Sequence, residues 1–276
     1  MASISRVAAA SLVLGLTAWI SPPRTDAQAA QSLRAVDAQP IQYPSGDATI
    51  DAYIARPQGA SKHPAVIVLH DDLGLNNRFR ELTRQFAQAG FITLAPHFPS
   101  RSKTPASEPR EGPPQRGAVA GLDWQDTIED LRAGFTFLQQ DSGVDAARIS
   151  AVGVGWGEFR VWKLAEETPA LHRAVVFYGV TPTDDDRLRA IRTPVLGHYA
   201  QRDYLITARV LKTKKLLGEK FTYYIYPTVP GFFGGGTGQL QPATGGSVIS
   251  LPAGSPQAAA AAAAKQAWTR TLEFLQ

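Results

Sequence analysis

Short runs of aliphatic and β-branched residues alternate along this chain with longer stretches whose apolar positions recur every three or four residues. The short runs predict strands at 48–56, 64–70, 91–96, 148–154, 173–179, 193–199 and 221–227. The longer stretches predict helices at 77–89, 123–140, 156–168, 204–218 and from 256 onward. Such alternation is the signature of a mainly parallel sheet covered by helices on both faces, an α/β fold. Within the second run, "AVIVL" shows no polar alternation, so both faces of that strand are expected to be covered. The last helix starts cleanly, with Ser255 as N-cap, Pro256 at the first helical position and seven alanines following Gln257. Its residues Trp268, Leu272 and Leu275 share one face, which predicts docking on the sheet.

Two segments interrupt the alternation. "HFPSRSKTPASEPREGPPQRG" (97–117) is rich in Pro, Ser and Arg, and "GFFGGGTGQLQPATGGSVISLPAGS" (231–255) is rich in Gly. Both predict long loops, each either covering a site or mobile, and the glycine-rich one has the composition of flexible coil. No internal repeat is visible.

Composition places the chain among globular proteins, with 44% hydrophobic and 19% charged residues, and 276 residues suffice for a sizeable core. The first 29 residues read as an export signal and residues 30–276 as a single domain. Arg6 opens a short basic region, Val7 to Ile20 is apolar, Pro22 and Pro23 follow, and Ala27-Gln28-Ala29 suits signal peptidase. The competing reading, a retained membrane anchor, meets an apolar run shorter than the roughly 20 residues a span needs. A periplasmic or secreted protein, with no membrane association after cleavage, is therefore expected. Removal of Arg6, Arg24 and Asp26 would leave 26 basic and 23 acidic residues, a net charge of +3. So slight an excess, with no dense basic cluster, gives no reason to expect nucleic acid as a partner. There is no cysteine, which excludes disulfides and a thiol nucleophile alike.

The candidate chemistry lies in "RISAVGVGWGEFRVW" (148–162), a strand running through three alternating glycines into a helix. Three readings compete. A dinucleotide fingerprint wants G-x-G-x-x-G and an acid some twenty residues on, but here the third glycine comes one residue early and the next strand, "RAVVFYG", ends without an acid. A nucleophile elbow, G-x-Nu-x-G, uses glycines at the flanking positions, here Gly153 and Gly157, so that strand and helix approach closely. A plain glycine turn is the third.

Several segments in order, "VLHDDLGLNNRFRELTRQFAQAGFITLAPHF", "ISAVGVGWGEFRVWKLAEE", "AVVFYG", "QRDYL" and "AWTRTLEFLQ", make the chain from about residue 46 resemble the dienelactone hydrolase family. The resemblance implies an α/β-hydrolase fold and a triad of nucleophile, histidine and aspartate. Transferred by motif, the aspartate is Asp203, the nucleophile position is Gly155, and the histidine position, in "YPTVPGFF", is Gly231. It further implies an oxyanion hole from the backbone N–H groups of Trp156 and Asp72, and an acid beside the elbow at Asp71. An arginine holding a substrate carboxylate is matched by Arg101, while the second such arginine falls at Gly235. No cofactor or metal is implied.

Gly155 and Gly231 carry no reactive atom, so Asp203 would orient a histidine that is not there; as a plain aspartate it reads as a helix cap before Tyr204. Of the five histidines, His63 and His172 precede strands, His70 and His97 follow strands at the ligand-binding end, and His198 lies late in its strand. His97 is the best candidate for a relocated base, with His198 second. Glu158 reads as a helix-start carboxylate favoured by the macrodipole. Ser100 and Ser102 sit in a loop that fixes no attack geometry. Two expectations remain open: a degenerate hydrolase retaining a pocket for a small carboxylate, ester or lactone, or an active hydrolase in which His97 or His198 activates water.

Overall fold

The strand that sequence periodicity does not predict lies at the sheet's edge. A computed structural model describes residues 35–59, 61–102, 117, 119–233 and 254–276. The expected signal segment 1–29, most of the loop 97–117, Gly235 and nearly all of the glycine-rich segment lie outside the described residues. The first strand, β1 (Val36–Ser45), pairs antiparallel with β2 (Ala48–Pro57), from Val36 opposite Pro57 to Ser45 opposite Ala48. It carries Pro40 and Pro44 and is largely exposed, as an edge strand tolerates and a central one does not.

The remaining strands are β3 (His63–Leu69), β4 (Ile92–Pro96), β5 (Val144–Val154), β6 (Ala174–Phe177), β7 (Val195–Ala200) and β8 (Phe221–Tyr226). Their order is β1-β2-β4-β3-β5-β6-β7-β8. β2 also runs antiparallel to β4, and every later pairing is parallel. The α-helices among the described residues are α1 (Asn77–Gln88), α2 (Trp124–Gln140), α3 (Glu158–Glu167), α4 (Asp185–Ala190), α5 (Tyr204–Leu217) and α6 (Pro256–Leu275). α4 is the other unpredicted element: its six residues, DDRLRA, bury only Leu188 and are too few to show a period. The segment after His97 begins as a 3-10 helix, Phe98–Ser102, rather than as coil.

Alternation along the strands sorts the core into two layers. Ala65, Ile67 and Leu69 of β3 face one side, with Leu131 and Phe135 of α2, Trp162 of α3 and Leu217 of α5. Val66 and Val68 face the other, with Phe79 and Phe86 of α1 and Ala260, Ala264 and Ala267 of α6. The period of two thus gives "AVIVL" two covered faces. The alanine run of α6 is itself the docking surface: Ala260, Ala263, Ala264, Ala267, Thr271 and Leu275 are buried, with Trp268 and Leu272 packed beside them. Among the described residues no helix is long and apolar enough to cross a membrane. The fold is that of the α/β hydrolases, and the C-terminal end of β5, near the middle of the sheet, is where such folds hold ligands.

Candidate active site at the strand–helix elbow

β5 ends at Val154 in extended conformation, and the chain turns through Gly155–Gly157 directly into α3. The three glycines serve different ends. A Cβ on Gly153 would lie 2.6 Å from the Cα of Glu158, and one on Gly157 would lie 2.7 Å from both the carbonyl oxygen of His70 and the Cβ of Leu69. These two positions admit no side chain, because strand and helix touch there. Gly155 differs: its φ is +53°, and the one heavy atom a Cβ would meet is the Cβ of Asp71, at 3.4 Å. A left-handed residue between two steric glycines, its side-chain slot open, is the geometry of a nucleophile elbow. The slot is empty.

Trp156 and Gly157 begin the helical turn, so their N–H groups have no intrahelical acceptor. Across the slot, Asp71 opens a tight turn: its carboxylate accepts from the Leu73 N–H (3.0 Å) and pairs with Arg78 Nη2 (2.7 Å). Burial pushes the Asp71 carboxyl up from its ordinary value, while Arg78 pulls it down. Asp72, beside it in this turn, is exposed. Tyr178, after β6, is the one non-glycine described residue with positive φ (+35°), and the charges of Arg78 and Asp71 both act on its phenol.

Beneath the turn lies an aromatic and cationic stack. The His70 ring is fully buried and parallel to the indole of Trp156, with centroids 5.6 Å apart and planes within 5°. Its Nδ1 lies 2.8 Å from the carbonyl oxygen of Asp71, and burial lowers its pKa to about 3. His97, also buried, is 6.3 Å from His70. The Arg160 guanidinium lies 3.1 Å from the Trp156 ring and donates to the Trp156 carbonyl (3.0 Å). Burial lowers the Arg160 pKa to about 9. Arg78, Tyr178 and Arg160 were not among the expected site residues, though Arg160 stands four positions after Trp156, the spacing at which helical side chains meet.

The other expected residues occupy varied places. Asp203 caps α5, accepting from the Ile206 N–H at 3.4 Å. Gly231 has φ +83°, and its neighbours dock the turn: Phe233 stacks on Phe177 at 3.7 Å and Phe232 meets Tyr178 at 5.4 Å. His198 has both ring nitrogens occupied, Nδ1 by the Tyr226 hydroxyl (2.9 Å) and Nε2 by that of Thr271 (3.1 Å), and burial lowers its pKa to about 3. It braces β7 against α6. Arg101 lies within 4 Å of four carboxylates: Asp130 (3.0 Å), Asp47 (3.3 Å), Glu129 (3.4 Å) and Asp126 (3.9 Å). Such a cluster ties the 3-10 turn to α2 and takes Arg101 out of the set of groups available to an anion. Ser100 is likewise committed, donating to the His97 carbonyl (2.7 Å) and accepting from the Asp51 N–H (2.9 Å). Glu158, read from sequence as a charged helix start, is 2% exposed, and burial holds its carboxyl well above the ordinary value. Burial here outweighs the helix dipole, and the neutral acid is favoured. Among the described residues no three His, Cys, Asp or Glu side chains gather as a metal site.

The sequence profile of the dienelactone hydrolase family matches residues 50–276. The chain belongs to the dienelactone hydrolase family. It is 24% identical over 234 residues, 80% of each chain, to a Methylorubrum extorquens protein assigned as a carboxymethylenebutenolidase. A Bradyrhizobium protein assigned as a 2-oxo-3-(5-oxofuran-2-ylidene)propanoate lactonase is 30% identical over 186 residues, 62% of this chain and 73% of that one. Among solved structures, one assigned as a dienelactone hydrolase, from Klebsiella pneumoniae, superposes with TM-score 0.69 at 24% identity, over 87% of this chain and 98% of that one. As a family member, the chain is hydrolase-like.

Proposed function

We propose that this protein is a catalytically degenerate member of the family, keeping a pocket for a small carboxylate, ester or lactone without the means to cleave it. The observation that carries this reading is Gly155 at φ +53°, an elbow whose reactive slot opens onto space beside Asp71. Acyl transfer by this architecture needs a hydroxyl or thiolate activated by a base within hydrogen-bond reach. Gly155 supplies no nucleophilic atom, Gly231 supplies no imidazole, and Asp203 is engaged as a helix cap. The donors that need no side chain, the N–H groups of Trp156 and of Asp72, remain to bind an anion or a polarised carbonyl. We also propose export of the chain, on the composition of residues 1–29.

Hydrolysis of p-nitrophenyl acetate tests the reading. The wild-type protein is expected to show no turnover above background. The double variant Gly155→Ser with Gly231→His is expected to acquire measurable esterase activity, folding being checked by circular dichroism. Clear wild-type turnover that vanishes in His97→Ala would overturn the proposal in favour of water attack assisted by His97.

A further inference from the structure

A hollow of about 480 Å³ lies between β1, β2 and the start of α1, away from the elbow and within the size range of small-molecule sites. Pro40 and Leu75 are its apolar side chains, those of Ile41 and Ala52 turning to the other face of the sheet, and Gln42, Asp51 and Arg80 are its polar groups. Ala52 pairs with Pro96 across the antiparallel β2/β4 ladder, which sets the start of β2 beside the end of β4. The cavity therefore opens at the same end of the sheet as the elbow. Three strand spacings separate β2 from β5, roughly 14 Å.

The polar groups are unequally committed. Asp51 is fixed three ways: its side chain accepts from Gln42 Nε2 (2.7 Å), its carbonyl from the His97 N–H (2.7 Å), and its own N–H donates to Ser100 Oγ (2.9 Å). That wall is built before any ligand arrives. Arg84, one turn beyond Arg80, is spent on Glu81 (2.9 Å) and the Tyr53 hydroxyl (2.6 Å). Arg80 shares the Tyr53 ring with it, at 5.3 Å against 5.5 Å. Yet Arg80 forms no ion pair among the described residues, and its Nε–H is buried with no acceptor there. A buried donor on a cation is costly to leave without an acceptor.

We infer that this cavity is a second ligand site, separate from the elbow, that binds small monocarboxylates with an apolar body. The Arg80 guanidinium supplies the paired N–H donors that meet a carboxylate as a fork. Pro40 and Leu75 cover the apolar part. Asp51, in the same lining, disfavours a second negative charge and accepts from a ligand hydroxyl or amide. Because Leu75 belongs to the turn that carries Asp71 and Asp72, a bound ligand buttresses that turn as well.

Isothermal titration of the protein with benzoate, and separately with benzylamine, tests the inference. Benzoate is expected to bind saturably and benzylamine not at all. Arg80→Gln is expected to weaken benzoate binding roughly tenfold or more. Arg80→Lys, which keeps the charge but loses the fork, should fall between wild type and Arg80→Gln. Thermal melts check that each variant is folded. Absence of saturable benzoate binding, or binding unchanged in Arg80→Gln, overturns the inference, as does preference for benzylamine; the second of these outcomes would place benzoate elsewhere on the protein.

Discussion

Glu158 is where a residue's chemistry departs furthest from its type. Its carboxyl lies within 1.9 Å of where a Cβ on Gly179 would stand, so that glycine makes room for it. Burial raises its pKa, against smaller opposing contributions from the Val180 N–H, Trp162 and Arg160. The sign follows from linkage. Because the folded-state value lies above the unfolded one, the protonated side chain's contribution is fully present at low pH. That contribution is lost as pH rises past the unfolded carboxylate range toward the folded value, because unfolding then releases a proton. Glu158→Gln keeps the shape and cannot ionise. The variant is therefore expected to gain on the wild type between pH 5 and pH 8, by up to about 1.4 kcal/mol per pH unit until the folded-state value is reached. Urea titrations at pH 5, 6.5 and 8 measure the difference; a gap that does not widen with pH would mean that Glu158 is ionised in the fold. No sequence rule reveals this, since a glutamate at a helix start looks the same whether it faces water or the β6 end. Arg101 shows the same limit: its motif match suggested an anion ligand, and only packing shows four carboxylates around it.

At the scale of the element, the elbow was legible because its glycines are required by geometry rather than by chemistry. Three glycines in alternation after a β-branched run state that strand and helix come too close for side chains at 153 and 157. An alanine at either position is expected to cost about 3 kcal/mol, the upper range for overpacking, because its contacts are with backbone atoms and with Leu69. Gly155→Ala meets open space and bears only the left-handed backbone, about 1–2 kcal/mol. Denaturant midpoints of the three variants give the ranking, and a Gly155→Ala variant less stable than both others would contradict the turn described here. The start of α6 was legible from residue type, since Ser255 caps it through its side chain, while the caps Asn76 of α1 and Asp123 of α2 emerge only in the structure. α4 was not, because a helix burying one residue carries no period to read, and neither was β1, whose inward Ile41, Tyr43 and Ser45 are interrupted by Pro40 and Pro44.

For the whole molecule, the order of strands places β5 near the middle of an eight-stranded sheet and so puts the elbow where ligands of this fold bind. Export belongs to this scale too. Fractionation of cells producing the full chain is expected to find the protein outside the cytoplasm and shortened by about 29 residues by N-terminal sequencing. Recovery of uncleaved chain in the cytoplasm would refute it. Local pattern alone determined the succession of strands and helices, the flanking glycines of the turn, the Ser255 cap and the absence of reactive atoms at positions 155 and 231, because each follows from residue type and spacing along the chain. Tertiary structure alone decided that Glu158 is buried, that His198 is braced by Tyr226 and Thr271, that Arg101 is enclosed by acids and that Arg80 lines a cavity. Those depend on which distant segments the fold brings into contact, and solvent exclusion, which sets charge state and hydrogen-bond supply, is a property of that contact and not of the chain.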